Sequence, residues 1–339
     1  MKKILITGGA GFMGSNMIRY LLRQYPEYCI VNVDKLTYAG NLNNLKDIAD
    51  DPRYRFYQAD IIDSKFIDDL FHREQFDYVL NYAAETHVDR SIMDPDAFLY
   101  TDIIGTFTLL EAVKKYGVER MVQISTDEVF GSTLDGAFTE VSPFQPNSPY
   151  SASKAGADHL CRAYFVTYQV PVIMTHSCNF YGPYQYPEKF LPLFITNLLE
   201  DKKVPIYGDG KYVREWIYTE DHCRAIDLVL HQGRVGEVYN IGTGYRQENL
   251  SVTKLLLELL DKDQSYIEFI KDRPGHDRRY AIDATKLRNE LGWVPMFSFE
   301  QGLEAKVRWY QQNTSWWKEL KSGAYEAYYR QQYHERLSS

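Results

Sequence analysis

Two short stretches of the sequence carry side chains that can move protons. Tyr150 and Lys154 follow Pro149 and lie four positions apart, which places both on the same face of a helix. A nearby ammonium group favours the phenolate form of tyrosine, so the pair predicts a general base that acts on a hydroxyl group. The spacing alone is common, and it gains weight from the stretch that precedes it.

That preceding stretch sets two carboxylates side by side. Ser125 and Thr126 carry hydroxyl groups, and Asp127 and Glu128 follow them directly. Adjacent carboxylates can be driven into different protonation states, which leaves one as an acid and the other as a base. The alternative is that one carboxylate caps a turn while the other is solvated.

A glycine-rich turn near the start of the chain predicts a cofactor site. Gly8, Gly11 and Gly14 follow the apolar run 4–6 and precede a helical pattern. Glycine allows the tight turn and lets the backbone approach a pyrophosphate, which the helix N-terminus then stabilises. Asp34 ends the next apolar run, about 20 residues on, where a carboxylate accepts hydrogen bonds from ribose hydroxyls. Since such a carboxylate repels a 2′-phosphate, the sequence predicts NAD and not NADP.

The elements that must position these groups alternate along the first half of the chain. We predict strands at 4–6, 30–33, 54–56, 78–80 and 121–124, and helices at 15–24, 64–73 and 106–116. This alternation predicts an α/β fold, a Rossmann-type doubly wound parallel sheet with a smaller C-terminal substrate-binding lobe.

Ligands of such a sheet bind where its strands end, which directs attention to the residues that follow the third and fourth strands. Asp60 and Ile61 end the third strand, and residues 82–84 end the fourth. Asp60 is interpreted either as a contact to the adenine amino group or as a helix N-cap.

The pattern becomes less regular beyond about residue 180, where prolines and aromatic residues are frequent. We therefore expect residues 1–180 to form mainly the NAD-binding domain and residues 181–339 mainly the substrate-binding lobe, with some segments returning to the first. Because no flexible linker separates them, a cleft between tightly packed lobes is expected.

Composition narrows the class of protein. With 45% hydrophobic and 25% charged residues, the chain fits a soluble globular enzyme and not a disordered or fibrous protein. A formal charge of -8, spread along the chain, disfavours nucleic-acid binding. The first apolar run is too short for a signal peptide or a membrane span, so a cytoplasmic protein is expected. The four cysteines lie far apart, which predicts reduced thiols and no metal site.

Longer motifs point to a family. The chain resembles the extended short-chain dehydrogenase/reductases, the NAD-dependent epimerase/dehydratase family, in segments 83–91, 125–131, 150–154, 179–184, 272–280 and 321–325. Within that family it is most similar to dehydratases of nucleotide sugars. Related epimerases typically lack the carboxylate pair of Asp127 and Glu128, which makes this pair the most discriminating feature.

The resemblance implies a role for each catalytic candidate. Tyr150 would take the proton of the sugar 4-hydroxyl while a hydride leaves C4 for NAD, and Lys154 would hold the nicotinamide ribose and lower the pKa of Tyr150. Glu128 would then abstract the C5 proton as Asp127 protonates the departing 6-hydroxyl, and Thr126 would hydrogen-bond the sugar. The implied reaction converts dTDP-glucose into a 4-keto-6-deoxy sugar and regenerates NAD.

The same reasoning assigns further contacts. Those predicted to bind the cofactor, together with Tyr150 and Lys154, are Gly8, Gly11, Phe12, Met13, Gly14, Asp34, Lys35, Leu36, Thr37, Asp60, Ile61, Tyr82, Ala83, Ala84 and Thr101. Those predicted to bind the substrate are Thr86, Thr126, Asn179, Glu188, Lys189, Phe190, Pro205, Ile206, Tyr207, Arg214, Asn249, Arg273 and His276. A guanidinium suits phosphate oxygens, although Arg214 has an alternative as an ion-pair partner of Glu215 or Asp221. His87 and His222 are expected to be structural.

The chain departs from the family pattern at two positions. Phe180 stands where the family usually has Asn, which replaces a polar group next to the nicotinamide with an apolar ring. Phe130 stands where the family usually has Tyr.

Other readings of the sequence stay open. A dehydratase of UDP-sugars or a nucleotide-sugar 4-epimerase would share the cofactor site, and a catalytically idle NAD-binding protein is a further alternative. Thymine and uracil differ by one methyl group, which a pocket discriminates by only ~1–3 kcal/mol, so the base is not determined. Family members pair as homodimers through two helices per subunit, and the apolar positions within 107–113 and 160–168 fit such a seam.

Overall fold

The computed structural model describes residues 1–272, 275–322, 325 and 329. Its strands, in chain order, are β1 (Lys2–Thr7), β2 (Tyr28–Asp34), β3 (Tyr54–Gln58), β4 (Tyr78–Asn81), β5 (Arg120–Thr126), β6 (Val172–Ser177), β7 (Asn179–Tyr181), β8 (Val204–Tyr207), β9 (Val213–Tyr218), β10 (Val238–Ile241), β11 (Arg246–Glu248) and β12 (Ile267–Ile270).

The α-helices of the described residues are α1 (Phe12–Gln24), α2 (Ser64–Glu74), α3 (Val88–Met93), α4 (Asp96–Phe98), α5 (Gly105–Tyr116), α6 (Pro149–Tyr168), α7 (Phe190–Leu199), α8 (Thr219–Gln232), α9 (Asn249–Leu259), α10 (Thr285–Leu291), α11 (Phe299–Gln312) and α12 (Thr314–Leu320). A π-helical segment, Leu99–Ile104, joins α4 to α5. Short 3₁₀ turns span Leu42–Leu45, Asp127–Phe130 and Gln264–Tyr266.

A parallel sheet of seven of these strands forms the larger part of the molecule. Its order is β10-β6-β5-β4-β1-β2-β3, and all the pairings within it are parallel. This confirms the predicted Rossmann-type doubly wound sheet. The order reverses at β1, whose neighbours are β2 and β4, and such a reversal opens the crevice in which ligands of these folds bind.

Helices cover both faces of this sheet, which explains why its strands are continuous apolar runs. The side chains of Ile4, Leu5 and Ile6 in β1 are completely buried. Ile4 and Ile6 belong to one hydrophobic cluster and Leu5 to another, because successive side chains of a strand point to opposite faces. The apolar runs of the sequence therefore mark the buried part of each strand. The residues just after each run lie at the carboxyl edge of the sheet.

A smaller lobe is built mostly from later segments of the chain. It contains a three-stranded sheet, β11-β9-β7, and the pair β12-β8. A third hydrophobic cluster, which includes Phe194, Trp216, Val252 and Leu303, joins these strands to α7, α9 and α11. β10 pairs with β6, so a late segment returns to the large sheet.

Some features of the described part of the chain bear on its class. No helix there is long and apolar enough to cross a membrane. The four cysteines are free thiols, and Cys29 is the one that is partly exposed.

Candidate active site

Two adjoining cavities lie at the carboxyl edge of the large sheet. The first, of about 270 Å³, lies over the ends of β1, β2, β4 and β5. The second, of about 170 Å³, lies between that edge and the smaller lobe. The residues that line both are His87, Val88, Glu128, Asn179, Phe180, Gln185 and Lys189. A ligand that spans the two cavities would therefore have its middle beside Glu128.

The glycine turn forms one end of the first cavity. Gly8 has a φ of +67°, and a Cβ there would lie 2.7 Å from the backbone nitrogen of Ala83. A Cβ on Gly14 would lie 2.3 Å from the carbonyl oxygen of Gly8. Gly11 caps α1 and provides no side-chain hydrogen bond to its first turn. The backbone N–H groups of that turn therefore suit a pyrophosphate, which is the fit that a dinucleotide requires.

Asp34 ends β2 and is nearly buried in the wall of this cavity. Its two oxygens accept hydrogen bonds from the backbone nitrogens of Ala10, at 3.0 Å, and Leu36, at 2.8 Å. Burial raises the pKa of this carboxyl, while the two backbone donors lower it. Each oxygen of an ionised carboxylate has a second lone pair, so Asp34 can also accept hydrogen bonds from ribose hydroxyls.

Lys35 connects several side chains at the same end. Its ammonium donates to the hydroxyl of Thr101 at 3.0 Å and forms ion pairs with Asp60, at 3.5 Å, and Glu85, at 3.3 Å. The interpretation of Asp60 as a helix N-cap is wrong, because Asp63 caps α2 and Asp60 accepts from the backbone two residues on. The cap lies three residues later because the chain turns once more before α2 begins.

The structure brings the predicted cofactor residues together. Apart from Leu36, all of them line the first cavity: Gly8, Gly11, Phe12, Met13, Gly14, Asp34, Lys35, Thr37, Asp60, Ile61, Tyr82, Ala83, Ala84, Thr101, Tyr150 and Lys154. Leu36 contributes its backbone N–H to Asp34 and has a positive φ of 59°. It therefore shapes the wall through its backbone.

The carboxylate pair occupies a short turn at the end of β5. Thr126 is the last residue of the strand, and its hydroxyl oxygen accepts from the backbone nitrogen of Glu128 at 3.2 Å. The side chain that caps this turn is thus Thr126, which contradicts the alternative that one of the carboxylates is the cap.

The two carboxylates lie in different environments. Asp127 is buried, and its Oδ2 has no hydrogen-bond partner in the described part of the chain. Burial raises the pKa of Asp127 well above its ordinary value, and the charges of Glu128 and Glu215 raise it further. Glu128 is partly exposed and accepts from the hydroxyl of Tyr280 at 3.4 Å. Asp127 is therefore suited to be a proton donor, and Glu128 faces the space shared by the cavities.

Tyr150 and Lys154 lie in the first turns of α6. The helix begins at Pro149, and Ser148 and Ser151 form a reciprocal capping box that fixes its start. The Lys154 ammonium is buried and donates to the carbonyl oxygen of Ile124 at 2.7 Å. Both side chains thus face the first cavity from one face of the helix, as their spacing predicts.

The proton affinity of Tyr150 differs from what the sequence suggests. Burial raises the pKa of Tyr150 well above its ordinary value, and the charges of Glu128 and Asp102 raise it further, whereas a hydrogen bond with Thr126 lowers it. In the protein alone the pKa is therefore raised and not lowered, against the effect expected of Lys154. The physical reason is that Tyr150 loses hydration in the wall of the cavity while the carboxylates of Glu128 and Asp102 lie near it.

The predicted substrate residues gather mainly around the second cavity. Those that line it are Asn179, Glu188, Lys189, Phe190, Pro205, Ile206, Tyr207, Arg214, Asn249 and His276. Thr86 lines the first cavity and accepts from the Lys189 ammonium at 3.0 Å. Arg273 lies outside the described residues.

Arg214 is oriented toward this second cavity by neighbouring backbone and by an aromatic ring. Its guanidinium donates to the carbonyl oxygen of Asp277 at 3.0 Å and lies 4.3 Å from the centre of the Tyr280 ring. The carboxylate of Glu215 forms an ion pair with Arg246 at 2.7 Å. Glu215 is thus paired with Arg246, in place of the ion pair with Arg214 that the sequence left open.

Several residues of the site were not among the predicted site residues, although His87 and Tyr280 lie within the family motifs 83–91 and 272–280. Tyr280 donates to Asp277 at 2.7 Å and to Glu128, and it lines the second cavity. Gln185 and His87 line both cavities, and the φ of His87 is +132°. His87 was expected to be purely structural, but it forms part of the wall, because the segment after β4 crosses over the cleft.

The remaining predictions from the sequence concern three side chains with rings, His222, Phe180 and Phe130. Burial lowers the pKa of His222 to about 3, so this histidine is a neutral core residue bonded to Ser177. The ring of Phe180 lies 4.4 Å from that of His222 and lines both cavities. Phe130 is buried against Phe138 and lies outside the cavity walls.

Comparisons with known proteins agree with this geometry. A family model described as GDP-mannose 4,6 dehydratase matches residues 5–306. The dTDP-glucose 4,6-dehydratase of Salmonella typhimurium is 49% identical, and the alignment covers 98% of this chain and 99% of that relative.

Solved structures are similar over the same extent. The dTDP-glucose 4,6-dehydratase of Bacillus anthracis, in complex with NAD, is 51% identical with a TM-score of 0.89, covering 95% of this chain and 100% of that one. The dTDP-glucose 4,6-dehydratase of Streptomyces venezuelae, with NAD and a second ligand bound, is 49% identical with a TM-score of 0.92, covering 94% and 100%.

Proposed function

Since the chain belongs to the GDP-mannose 4,6-dehydratase family, we propose that it is an NAD-dependent hydro-lyase that converts dTDP-glucose into dTDP-4-keto-6-deoxy-glucose. The observation that carries this proposal is the pair Asp127 and Glu128, one buried with a raised pKa and the other facing the shared cavity, beside Tyr150 and Lys154. An elimination of water needs an acid and a base at adjacent carbons, and this pair supplies both.

The first cavity fits NAD. The glycine turn suits the pyrophosphate, Asp34 suits the adenosine ribose, and Lys154 suits the ribose at the opposite end, beside Tyr150. When bound there, NAD would supply a hydride acceptor for C4 of the sugar and a hydride donor for C6.

The protein's own side chains move the protons. Tyr150 accepts the proton of the 4-hydroxyl in its phenolate form. Burial raises its pKa in the protein alone, and the Lys154 ammonium together with the positive charge of a bound nicotinamide would favour the phenolate. The 4-ketone acidifies the C5 proton, which Glu128 removes while Asp127, whose pKa is raised by burial, donates to the leaving 6-hydroxyl. Thr126 holds the sugar near C4. Glu128 returns its proton to C5 as the hydride reaches C6, and the proton that Tyr150 took returns to Asp127 before the next turnover. The cycle then ends with water, product and the original cofactor.

The second cavity suits the nucleoside diphosphate. Arg214 presents a guanidinium, which binds phosphate oxygens in a bidentate way. Asn179 and Asn249 each have a buried side-chain oxygen without a hydrogen-bond partner in the described part of the chain, as residues prepared for a ligand would. His276, Glu188, Lys189 and the β8 residues complete the wall. The relatives named above act on dTDP-glucose, which favours this substrate over a UDP-sugar.

A direct test separates dehydration from the epimerase alternative. Incubation of the protein with dTDP-glucose in heavy water should give a 4-keto-6-deoxy sugar that carries solvent deuterium at C5, detected by mass spectrometry and proton NMR. A galactose isomer without solvent label would overturn the proposal in favour of an epimerase. Turnover of a UDP-sugar alone would keep the mechanism and change the substrate.

Cofactor choice gives a first prediction about a single residue. A 2′-phosphate would lie next to the Asp34 carboxylate, and two charges about 4 Å apart near a protein surface repel by about 4 kcal/mol. NAD should therefore bind at least about 100-fold more tightly than NADP, as measured by calorimetric titration.

The variant Asp34→Asn is the matched control, because it removes the charge and keeps the shape. This variant should reduce the factor by which the protein binds NAD more tightly than NADP. Equal affinity of the wild-type protein for NAD and NADP would contradict the assignment of Asp34.

We also propose a homodimer, formed by α5, α6 and the π-helical segment that precedes α5. Of the apolar residues predicted for the seam, Leu109, Leu110 and Val113 are buried inside the subunit, because this side of α5 packs on the large sheet. Large apolar residues exposed on these helices are instead Leu99, Tyr100, Ile104, Phe107, Val166 and Tyr168. An apolar stripe of this kind suits a second copy of the chain.

The dimer is tested by placing a charge in this stripe. Phe107 is 42% exposed, and Phe107→Glu should convert a dimer into a monomer, since burying an unpaired carboxylate is costly. Sedimentation equilibrium measures the mass. Val141→Glu, at a 92% exposed valine outside these helices, should leave the mass unchanged. A wild-type protein with the mass of one chain would end this proposal.

A further inference from the structure

A lysine without a carboxylate partner is buried behind the active site. Lys306, in α11, is completely inaccessible to solvent. Its ammonium group donates to the side-chain oxygen of Gln185 and lies 5.5 Å from the centre of the Tyr310 ring. Its acceptor is thus a neutral amide. Lys306 lines neither cavity, whereas Gln185 lines both.

Gln185 links Lys306 to the wall of the two cavities through a second hydrogen bond. Its amide nitrogen donates to the carbonyl oxygen of Phe180 at 3.0 Å, and Phe180 and Asn179 line both cavities. The hydroxyl of Tyr310 donates to the backbone carbonyl of Gln185. Lys306 and Tyr310, both in α11, therefore bind Gln185. Gln185 in turn holds the backbone of Phe180 beside the space that the two cavities share.

The loop between these contacts is held in a conformation that it would not adopt by itself. Tyr184 has a φ of +66°, which is unfavourable for a residue with a side chain. Its ring lies 4.7 Å from Trp309 of α11 and 4.3 Å from the guanidinium of Arg19 of α1. Strain of this kind persists only where the surroundings enforce it.

Stability does not explain a lysine in this place. Burial of an amine away from water costs free energy, and burial also lowers the pKa of Lys306 well below its usual range. An apolar side chain of similar volume would pack there without that cost. A role in shaping the site is the remaining physical reason for the amine.

We propose that Lys306 is a positioning residue that acts through Gln185 to fix the backbone of Asn179 and Phe180 where the two cavities meet. The inference rests on the proposed function, because that meeting point is where the sugar of a bound nucleotide sugar lies. It assigns to Lys306 no contact with substrate or cofactor.

The test uses Lys306→Met, which keeps the length of the side chain and removes the donor. We expect the melting temperature to stay the same or rise. We expect kcat for dTDP-glucose to fall about 10- to 100-fold, the effect of a displacement of about 1 Å at a reacting centre. Affinity for dTDP alone should fall by less than kcat does, because Arg214, Asn249 and His276 line the second cavity from other elements. Amide hydrogen exchange across residues 179–186 should become faster.

Other variants separate positioning from packing. Gln185→Met should lower kcat similarly, and the double variant should lower it no further, since both act through one contact. Val307→Ala, at the next buried position of α11, should lower the melting temperature and leave kcat unchanged. Tyr310→Phe should also speed amide hydrogen exchange across residues 179–186. This variant replaces Lys306→Met in the exchange measurement if Lys306→Met does not fold.

The outcomes are distinct. Unchanged kcat and unchanged exchange in Lys306→Met would overturn the inference, as would a loss of kcat that merely follows a lower melting temperature, as in a packing variant. A wild-type protein that does not convert dTDP-glucose would instead refute the proposed function, and the exchange measurement would still decide whether Lys306 holds the loop.

Discussion

Replacing Glu128 with Gln should slow water loss strongly and still allow the first oxidation. The hydride leaves C4 with the help of Tyr150, so NADH absorbance should appear when the variant is mixed with dTDP-glucose. Removal of the C5 proton would lack its base, and elimination should slow by the ~10²–10⁴-fold typical of a missing general acid or base. Stopped-flow absorbance and product analysis measure the two steps separately.

Asp127→Asn should affect the same elimination from the other side. Burial raises the pKa of this carboxyl and so favours its acid form, whereas an amide cannot donate a proton to the 6-hydroxyl. Glu140→Gln is a matched control, because Glu140 accepts from the backbone nitrogen of Asn240 outside both cavities. If the double variant of Asp127 and Glu128 still forms the 4-keto-6-deoxy product at the wild-type rate, the pair has no catalytic role.

Replacing Tyr150 with Phe should stop the reaction before it begins. The ring is retained, including its edge contact with Phe98 at 6.2 Å, so the fold should survive. Without the phenol, no group takes the proton of the 4-hydroxyl, and the oxidation should slow by at least ~10²–10⁴-fold. No transient NADH should appear on mixing with dTDP-glucose, in contrast to Glu128→Gln.

A second tyrosine shows whether the loss is specific. Tyr239 is buried in β10, and its hydroxyl donates to Glu290 at 3.0 Å, away from the cavities. Tyr239→Phe removes a hydroxyl group of the same kind and should retain turnover. A Tyr150→Phe protein with most of the wild-type turnover would exclude Tyr150 as the base.

The sequence predicts most of the large sheet because short sequence patterns mark its strands and the helices beside them. Apolar runs mark strands whose two faces are covered, and glycines mark the turn before α1, so β1 to β5 with α1, α2 and α5 are readable in order. The strands β6 and β10, which complete the sheet, were not predicted. The edge of a parallel sheet follows from those runs. Thr126, Asp127 and Glu128 therefore had to meet the glycine turn and Asp34 on one side of the molecule.

The smaller lobe was less predictable, because its contacts join segments far apart in the chain. Arg214, Asn249 and His276 come from different elements and meet only through the third hydrophobic cluster. Their assignment depended on a family resemblance and not on spacing. Gln185 has no local pattern, and Tyr280 lies in the motif 272–280 without an assigned role, so only their position against Phe180 and Glu128 reveals their part in the site.

The sequence by itself determined which side chains are available and at which edge of the sheet they lie. Tertiary structure alone decided their proton affinities, because a pKa depends on how completely water is excluded and on charges from distant segments. Asp127 and Glu128 are equivalent neighbours in the chain, and burial with Glu215 nearby makes the first an acid. Burial likewise raises the pKa of Tyr150, and it leaves Lys306 with the amide of Gln185 as its hydrogen-bond acceptor.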